Sequence, residues 1–242
     1  MLRLVAVTLR RGGETVLASV NVEARAGELL IIEGGRGAGK TLLLEVAAAR
    51  RRPDSGEVWI ADRDVTALQR DSIPFVRRNI GFLEAQPAFI EGASVLENVM
   101  LPLAARAEPA AWAREAAVRA LGKVGAVGLA AAMPGRLSNS ARRLAGLARA
   151  LCGAPPLILV DDPSSSLSAA DSGAVLSALL GCMESGAAVV CATADGAFVA
   201  AAGRAGARRL RLDAGGLIPG PGSMVVVGAR GRARPSEREV GT

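Results

Sequence analysis

Glu28-Leu-Leu-Ile-Ile-Glu33-Gly34-Gly35-Arg36-Gly37-Ala38-Gly39-Lys40-Thr41 is the stretch on which the fold turns. Residues 34–41 complete the pattern G-x-x-x-x-G-K-[ST], in a chain with only two lysines. Glycines let backbone N–H groups turn inward around a triphosphate without Cβ clashes. Lys40 can then reach the β- and γ-phosphates, and the Thr41 hydroxyl can sit on Mg²⁺. The apolar run before the loop suits a buried strand. Residues 41–50, beginning Thr-Leu-Leu-Leu-Glu-Val, form a strong helix whose N-terminus points at the phosphates. A Gly-rich turn could carry the loop pattern alone, but strand before and helix after favour a nucleotide cradle. Its expected contacts are Gly34, Gly35, Arg36, Gly37, Ala38, Gly39, Lys40, Thr41 and Leu42.

Outward from the loop, 242 residues make one large domain or two small ones. No uninterrupted apolar run reaches about 18 residues, the length of a membrane span. The start, Met-Leu-Arg-Leu-Val-Ala-Val-Thr-Leu-Arg-Arg, lacks a signal peptide's cleavage site and reads as an edge strand. Cys152, Cys182 and Cys191 are odd in number and lack C-x-x-C spacing, which points to neither a disulfide framework nor a zinc site. A cytosolic location follows. The net charge of +6 comes from scattered arginine beside heavy alanine and glycine use. Nucleic-acid binding would want basic residues clustered with aromatics, and aromatics are only 2%. No nucleic-acid partner is expected; an anionic membrane surface suits the charge better.

Residues 3–9 and 15–24 read as strands around a Gly12-Gly13 turn, and 57–61 as another after Pro53-Asp54-Ser55-Gly56. Residues 65–78 read as helical or mixed, broken by Pro74. Ala-rich helical spacing fills 108–127 and 137–151, with Pro134-Gly135 between. Buried-strand runs follow at 156–160 and 187–193, a helix at 169–183, and a short strand at 208–212. Strands alternating with helices imply a parallel sheet covered on both faces. The expected division is an ATP-binding core of residues 1–86 and 152–219, an inserted helical subdomain of 87–151, and a flexible Gly/Pro/Arg-rich tail of 220–242.

Leu157-Ile-Leu-Val-Asp161-Asp162 is an apolar run closing on two carboxylates. At the end of a buried strand in such a sheet, Asp161 lies beside the phosphate loop and can hold Mg²⁺. Asp-Asp-Pro-Ser-Ser-Ser is also excellent turn chemistry. The spacing of 121 residues from Lys40, with helices between, favours the magnesium reading.

With these segments in place the chain resembles ABC-type ATPases over residues 1–217. The resemblance is carried by Asp54-Ser-Gly-Glu-Val-Trp-Ile60, Asp64-Val-Thr-Ala-Leu68, Ile73-Pro-Phe-Val-Arg-Arg-Asn-Ile-Gly81, Val95-Leu-Glu-Asn-Val99, Leu101-Pro-Leu103 and Leu147-Ala-Arg-Ala-Leu151. Within that family it is most similar to the FtsE cell-division group, then to the LolD lipoprotein-release group. The resemblance implies an α/β P-loop NTPase core, with a mostly parallel sheet, flanking helices, a small antiparallel N-terminal sheet and an inserted α-helical subdomain. It also implies ATP and Mg²⁺ as cofactors, and a peripheral place on the cytoplasmic face of the inner membrane. The implied partners are an FtsX-like membrane protein and a second ATPase subunit, as homodimer or heterodimer.

The departures from the family fall on catalytic positions. Its L-S-G-G-Q signature, which reaches the γ-phosphate from the opposite subunit, reads Leu137-Ser138-Asn139-Ser140-Ala141 here. Ser138 keeps part of that role, while Asn139 and Ser140 add Cβ atoms where backbone must approach closely. Asp162 replaces the glutamate that polarises the attacking water; it is the candidate base, one methylene short, or it caps the next turn. Ala194 stands where the family has the switch histidine, and the chain has no histidine at all. Ser168 replaces an aspartate. Gln86 is the candidate γ-phosphate sensor and magnesium ligand, one place late in the alignment. Arg10-Arg11 replaces the adenine-stacking aromatic, leaving the Arg11 guanidinium to face the base. The surface of Phe82, Phe89 and Ile90 is where a partner's coupling helix docks by family analogy, with core packing the alternative. Two functional readings remain: an ATPase that powers a membrane partner, and a scaffold that binds nucleotide without turning it over.

Overall fold

The computed structural model describes residues 1–220; all but the first residue of the tail read from the sequence lies outside them. The chain forms two sheets. In the smaller, β1 (Leu2–Arg11), β2 (Glu14–Ala24), β4 (Ser55–Ile60) and β5 (Arg63–Asp64) are antiparallel in the order β2-β1-β4-β5. The opening strand is therefore central, which corrects the edge reading. β2 pairs on one side through the hairpin, and β4 returns on the other.

The larger sheet holds β3 (Leu29–Glu33), β6 (Ile80–Leu83), β7 (Leu157–Asp161), β8 (Ala188–Thr193), β9 (Arg208–Asp213) and β10 (Gly216–Pro219). Its order is β10-β9-β3-β8-β7-β6, parallel except for β10. Strands buried on both faces need apolar residues at every position, and the sequence supplies them. Leu29, Ile31, Ile158, Val160, Val189 and Cys191 enter one core, while Leu30, Ile32, Leu157, Leu159, Ala188 and Val190 enter the other. The small sheet and α1 (Lys40–Ala47) cover the second of these faces. α6 (Ala169–Glu184) and α7 (Gly196–Arg204) pack in the first.

Between β6 and β7 run α3 (Val95–Ala104), α4 (Ala110–Lys123) and α5 (Asn139–Leu151), which pack on one another. α4 is shorter at both ends than its alanine spacing implied. Residues 65–78 are not broken by Pro74. A 3-10 turn (Arg70–Ser72) leads into α2 (Ile73–Arg77), and Pro74 lies in the first turn of that helix, where no intrahelical N–H is required. Gly81 lets α5 lie against β6: a Cβ there would stand 2.0 Å from the Ala150 carbonyl oxygen. Phe82 is half-buried against the second core, with the Arg50 guanidinium 4.2 Å from its ring centre. This is packing as well as surface. Among the described residues no helix is long and apolar enough to cross a membrane.

Candidate nucleotide-binding site

β3, β8 and β7 end at one edge of the large sheet, where ligands of open α/β sheets bind. Glu33 pairs beside Thr193, and Asp161 beside Ala192. From this edge the phosphate loop turns into α1. Gly39 caps that helix at φ 95, a left-handed conformation that glycine adopts freely. A Cβ there would stand 2.8 Å from Val16 Cγ1, so β2 borders the loop directly.

Lys40 Nζ donates to the carbonyl oxygens of Gly34 and Gly35, each at 2.8 Å. Burial pushes its pKa down, opposed by the charges of Asp162 and Asp161. Its ammonium is thus held at the loop by neutral carbonyls, ready to exchange them for phosphate oxygens. Thr41 Oγ1 donates to Asp161 Oδ2 at 2.7 Å, across 120 residues of chain. Asp161 is almost fully buried. Burial raises its pKa, the Thr41 hydroxyl opposes that, and the Asp162 carboxylate raises it further. A buried carboxylate beside a second one calls for a compensating cation. A hydroxyl and a carboxylate oxygen in contact are the hard donors that Mg²⁺ takes while phosphates and water supply the rest. The residues present fit the ion.

Asp162 does not use its side chain to cap the turn that follows it, whose Ser165 N–H donates to the Asp162 main-chain carbonyl instead. Its backbone takes φ 55, its N–H donates to Ala192 O at 2.7 Å, and Oδ1 accepts from Thr193 Oγ1 at 2.9 Å. Thr193 Oγ1 also accepts from Asp195 N, and Asp195 Oδ2 accepts from Ser164 Oγ at 2.6 Å. Asp195 further caps α7 through the N–H groups of Ala197 and Phe198. The Asp162 carboxylate is thereby steered toward β8 on one oxygen, leaving the other for an incoming group. Ala194 is exposed beside this chain of bonds and offers no donor.

Among the described residues Gln86 has no hydrogen-bond partner. It shares an open cleft of about 730 Å³ with Asp162, Asn139, Arg143 and Ser165. The structure therefore groups Gln86 with the candidate base, in a cleft whose lining does not include Thr41 or Asp161. Ser138 caps α5: its hydroxyl accepts from Ala141 N at 3.2 Å and lies 2.9 Å from Ser140 Oγ. Ser168 caps α6 in the same way, bonding both the N–H and the carboxylate of Asp171. Arg11 is exposed at the β1–β2 hairpin, on the strand pair that carries Val16 to the phosphate loop. Thr193 and Arg143 were not singled out from the sequence: Thr193 is one residue of Ala192-Thr-Ala-Asp195, around the position of the missing histidine, and Arg143 is one of two adjacent helical arginines.

A glycine-rich loop between strand and helix, answered by a strand-end aspartate on its threonine, defines a P-loop nucleotide-binding fold. The model of the ABC transporter family matches residues 17–165, and the chain belongs to that family. It is 37% identical to the lipoprotein-releasing system ATP-binding protein LolD of Paramagnetospirillum magneticum (strain ATCC 700264 / AMB-1) over 153 residues, 63% of this chain and 68% of that one. To the cell division ATP-binding protein FtsE of Escherichia coli (strain K12) it is 32% identical over 165 residues, 68% of this chain and 74% of that one. Among solved structures, the dimer of MJ0796, a bacterial ABC transporter cassette, aligns with a TM-score of 0.83 at 30% identity. That alignment covers 90% of this chain and 96% of that one.

Proposed function

We propose that the chain is the ATP-binding subunit of an FtsEX-like complex at the inner membrane, where Mg-ATP binding, with slow hydrolysis or none, drives an FtsX-like membrane partner. The observation that carries this reading is the contrast within one site. Lys40, Thr41 and Asp161 form a complete cradle, while Asp162, Ala194 and the Ser138–Ser140 loop depart from a hydrolytic set. The relatives named FtsE and LolD support the membrane-complex class. The long segment around residues 73–81 favours FtsE.

Triphosphate draws the Lys40 ammonium off the Gly34 and Gly35 carbonyls, an ion-to-ion hydrogen bond replacing two to neutral acceptors. A magnesium ion would supply neutralisation of the phosphate charge. Thr41 and Asp161 would hold it from the protein side, and the amides around Gly37 and Gly39 would bind the phosphates. Asp162 holds one carboxylate oxygen toward the water that faces the γ-phosphate, through a reach one methylene short.

The pairing of two subunits favours slow turnover whatever the second subunit is. By family resemblance the signature loop acts across the dimer, whereas Asp162 and Ala194 act on their own subunit's nucleotide. In a homodimer every composite site carries both faults. In a heterodimer with a competent partner, one site carries Asp162 and Ala194 and the other carries Asn139 and Ser140. A catalytically inactive scaffold, or the degenerate half of a heterodimeric exporter, is the second reading, favoured by the Ser138 hydroxyl being engaged within its own helix cap.

The test is Mg-ATP affinity and steady-state ATPase measured side by side, with Lys40→Ala as control. The expected result is binding that Lys40→Ala weakens about 10- to 100-fold, from loss of a charged hydrogen-bonding group, and turnover well below about 1 s⁻¹. Turnover at or above that rate, absent in Lys40→Ala, would overturn the slow-hydrolysis reading. Absence of binding would overturn the nucleotide reading.

A further inference from the structure

Arg143 lies one and two turns before Gly146 and Ala150, on the face of α5 that presses against β6 and the loop after it. It is 3% exposed, and no carboxylate of the described residues forms an ion pair with it. Its two terminal nitrogens each straddle consecutive main-chain carbonyls. Nη1 donates to Glu84 O at 3.2 Å and Ala85 O at 2.6 Å. Nη2 donates to Asp161 O and Asp162 O. Among the described residues Nε has no partner, so the whole of the bonding found there joins one loop to the other.

A buried charge persists only where its bonding is satisfied. Here the acceptors are four carbonyls from two separate segments, assisted by the nearby charges of Asp162 and Asp161. Only a planar fork of donors spans such a pair; an ammonium on a flexible stem cannot. The same helix begins at Ser138, the altered signature loop, and the bridged loop continues directly into Gln86.

We propose that Arg143 is a positioning residue that ties α5 to the carboxylate turn, so that residues 84–86, the first turn of α5 and Asp161–Asp162 respond to nucleotide as one body. This rests on the nucleotide reading above. It gives the chain a route from its ATP site to the α3–α5 helices that runs through main-chain carbonyls and needs no side-chain contact of Gln86.

The test is hydrogen exchange on the full chain, with and without Mg-ATP, for the parent protein and Arg143→Gln. In the parent, Mg-ATP slows exchange in the phosphate loop, at 84–86 and at 139–142. In Arg143→Gln the phosphate loop keeps its protection within about twofold, while the response at 84–86 and 139–142 falls about tenfold. An unchanged pattern overturns the proposal, and so does parallel loss of protection everywhere, which marks general loosening. If Arg143→Gln does not fold, Arg143→Lys, which keeps the charge, replaces it. An intermediate response at the two remote segments is then expected, and a parental pattern overturns the proposal. If the parent's phosphate loop shows no protection at all, the nucleotide reading fails instead. The nucleotide-free comparison then decides Arg143: faster exchange confined to 84–86 and 139–142 supports the tie, and unchanged exchange overturns it.

Discussion

Asp162 and Ala194 directly follow the ends of adjacent strands and are joined through Thr193, and they fail in complementary ways. Asp162 keeps a carboxylate but falls about 1.5 Å short of where a glutamate would place it, half of the hydrogen-bond distance general-base work needs. Ala194 keeps the backbone but removes a donor, and loss of one preorganised donor typically costs about 10²–10³ in rate. On the proposed reading both positions serve one transition state, so the two deficits overlap instead of adding. The double variant Asp162→Glu, Ala194→His is therefore expected to raise kcat by about 10²-fold with Mg-ATP affinity held within about threefold. Phosphate release, with Lys40→Ala as the blank, measures it. Equal rates for parent and double variant would mean that these two side chains do not limit turnover. The residue scale is also where the sequence was most legible. The phosphate loop is contiguous and Asp161 ends an apolar run, so both could be read without coordinates. Thr193 and Arg143 could not. Their partners lie 31 residues away at Asp162 and 18 residues away at Asp161, and only the sheet order brings those segments together.

Among the elements, β3, β7 and β8 were legible because strands buried on both faces leave an unbroken apolar run. β6 was not. It has four residues, and Gly81 sits within it because α5 comes too close for any side chain. α7 was hidden for a different reason: its cap, Asp195, lies inside the segment read for its missing histidine. α3 shows how a cap can be tested. Ser94 forms a capping box with Glu97, in which the serine hydroxyl takes the Glu97 N–H and the Glu97 carboxylate takes the Ser94 N–H and hydroxyl. The hydrogen bond from the Ser94 hydroxyl, then that from its N–H, lower the Glu97 pKa below its ordinary 4.5. A depressed carboxylate stabilises the fold above its unfolded pKa and loses that contribution as pH falls through its folded value. Replacing the cap, Ser94→Ala, is expected to lower Tm by about 2–4 °C near neutral pH in a domain of this size. Glu97→Gln should lower it at neutral pH too, with the gap to the parent closing as pH falls below 4.5. A gap that stays constant from neutral to acid would show that the Glu97 charge contributes nothing to α3.

For the whole molecule the question is what holds two copies together. By family resemblance the first turn of α5 meets the partner's γ-phosphate, so the affinity of the nucleotide-bound dimer depends on donors at residues 138–140. In this chain Ser138 and Asn139 are exposed, but the Ser138 hydroxyl is turned inward to Ala141 N and Ser140 Oγ. Ser140→Gly removes one of those competitors. Asn139→Gly removes a Cβ at the helix N-terminus, where unpaired N–H groups and the helix dipole favour an anion. A hydrogen bond regained to a charged group is worth roughly 1.5–3 kcal/mol, about 10- to 100-fold in affinity. The gain is available once at each of the two composite sites of a homodimer. The double variant Asn139→Gly, Ser140→Gly is therefore expected to tighten Mg-ATP-dependent self-association by at least about tenfold, read by sedimentation equilibrium across protein concentration. With ADP, which lacks the γ-phosphate, parent and variant should associate alike. A gain that also appears with ADP would point to a general change in surface packing. No gain with Mg-ATP would mean that the first turn of α5 does not meet a partner's nucleotide, and the homodimeric arrangement would fall with it.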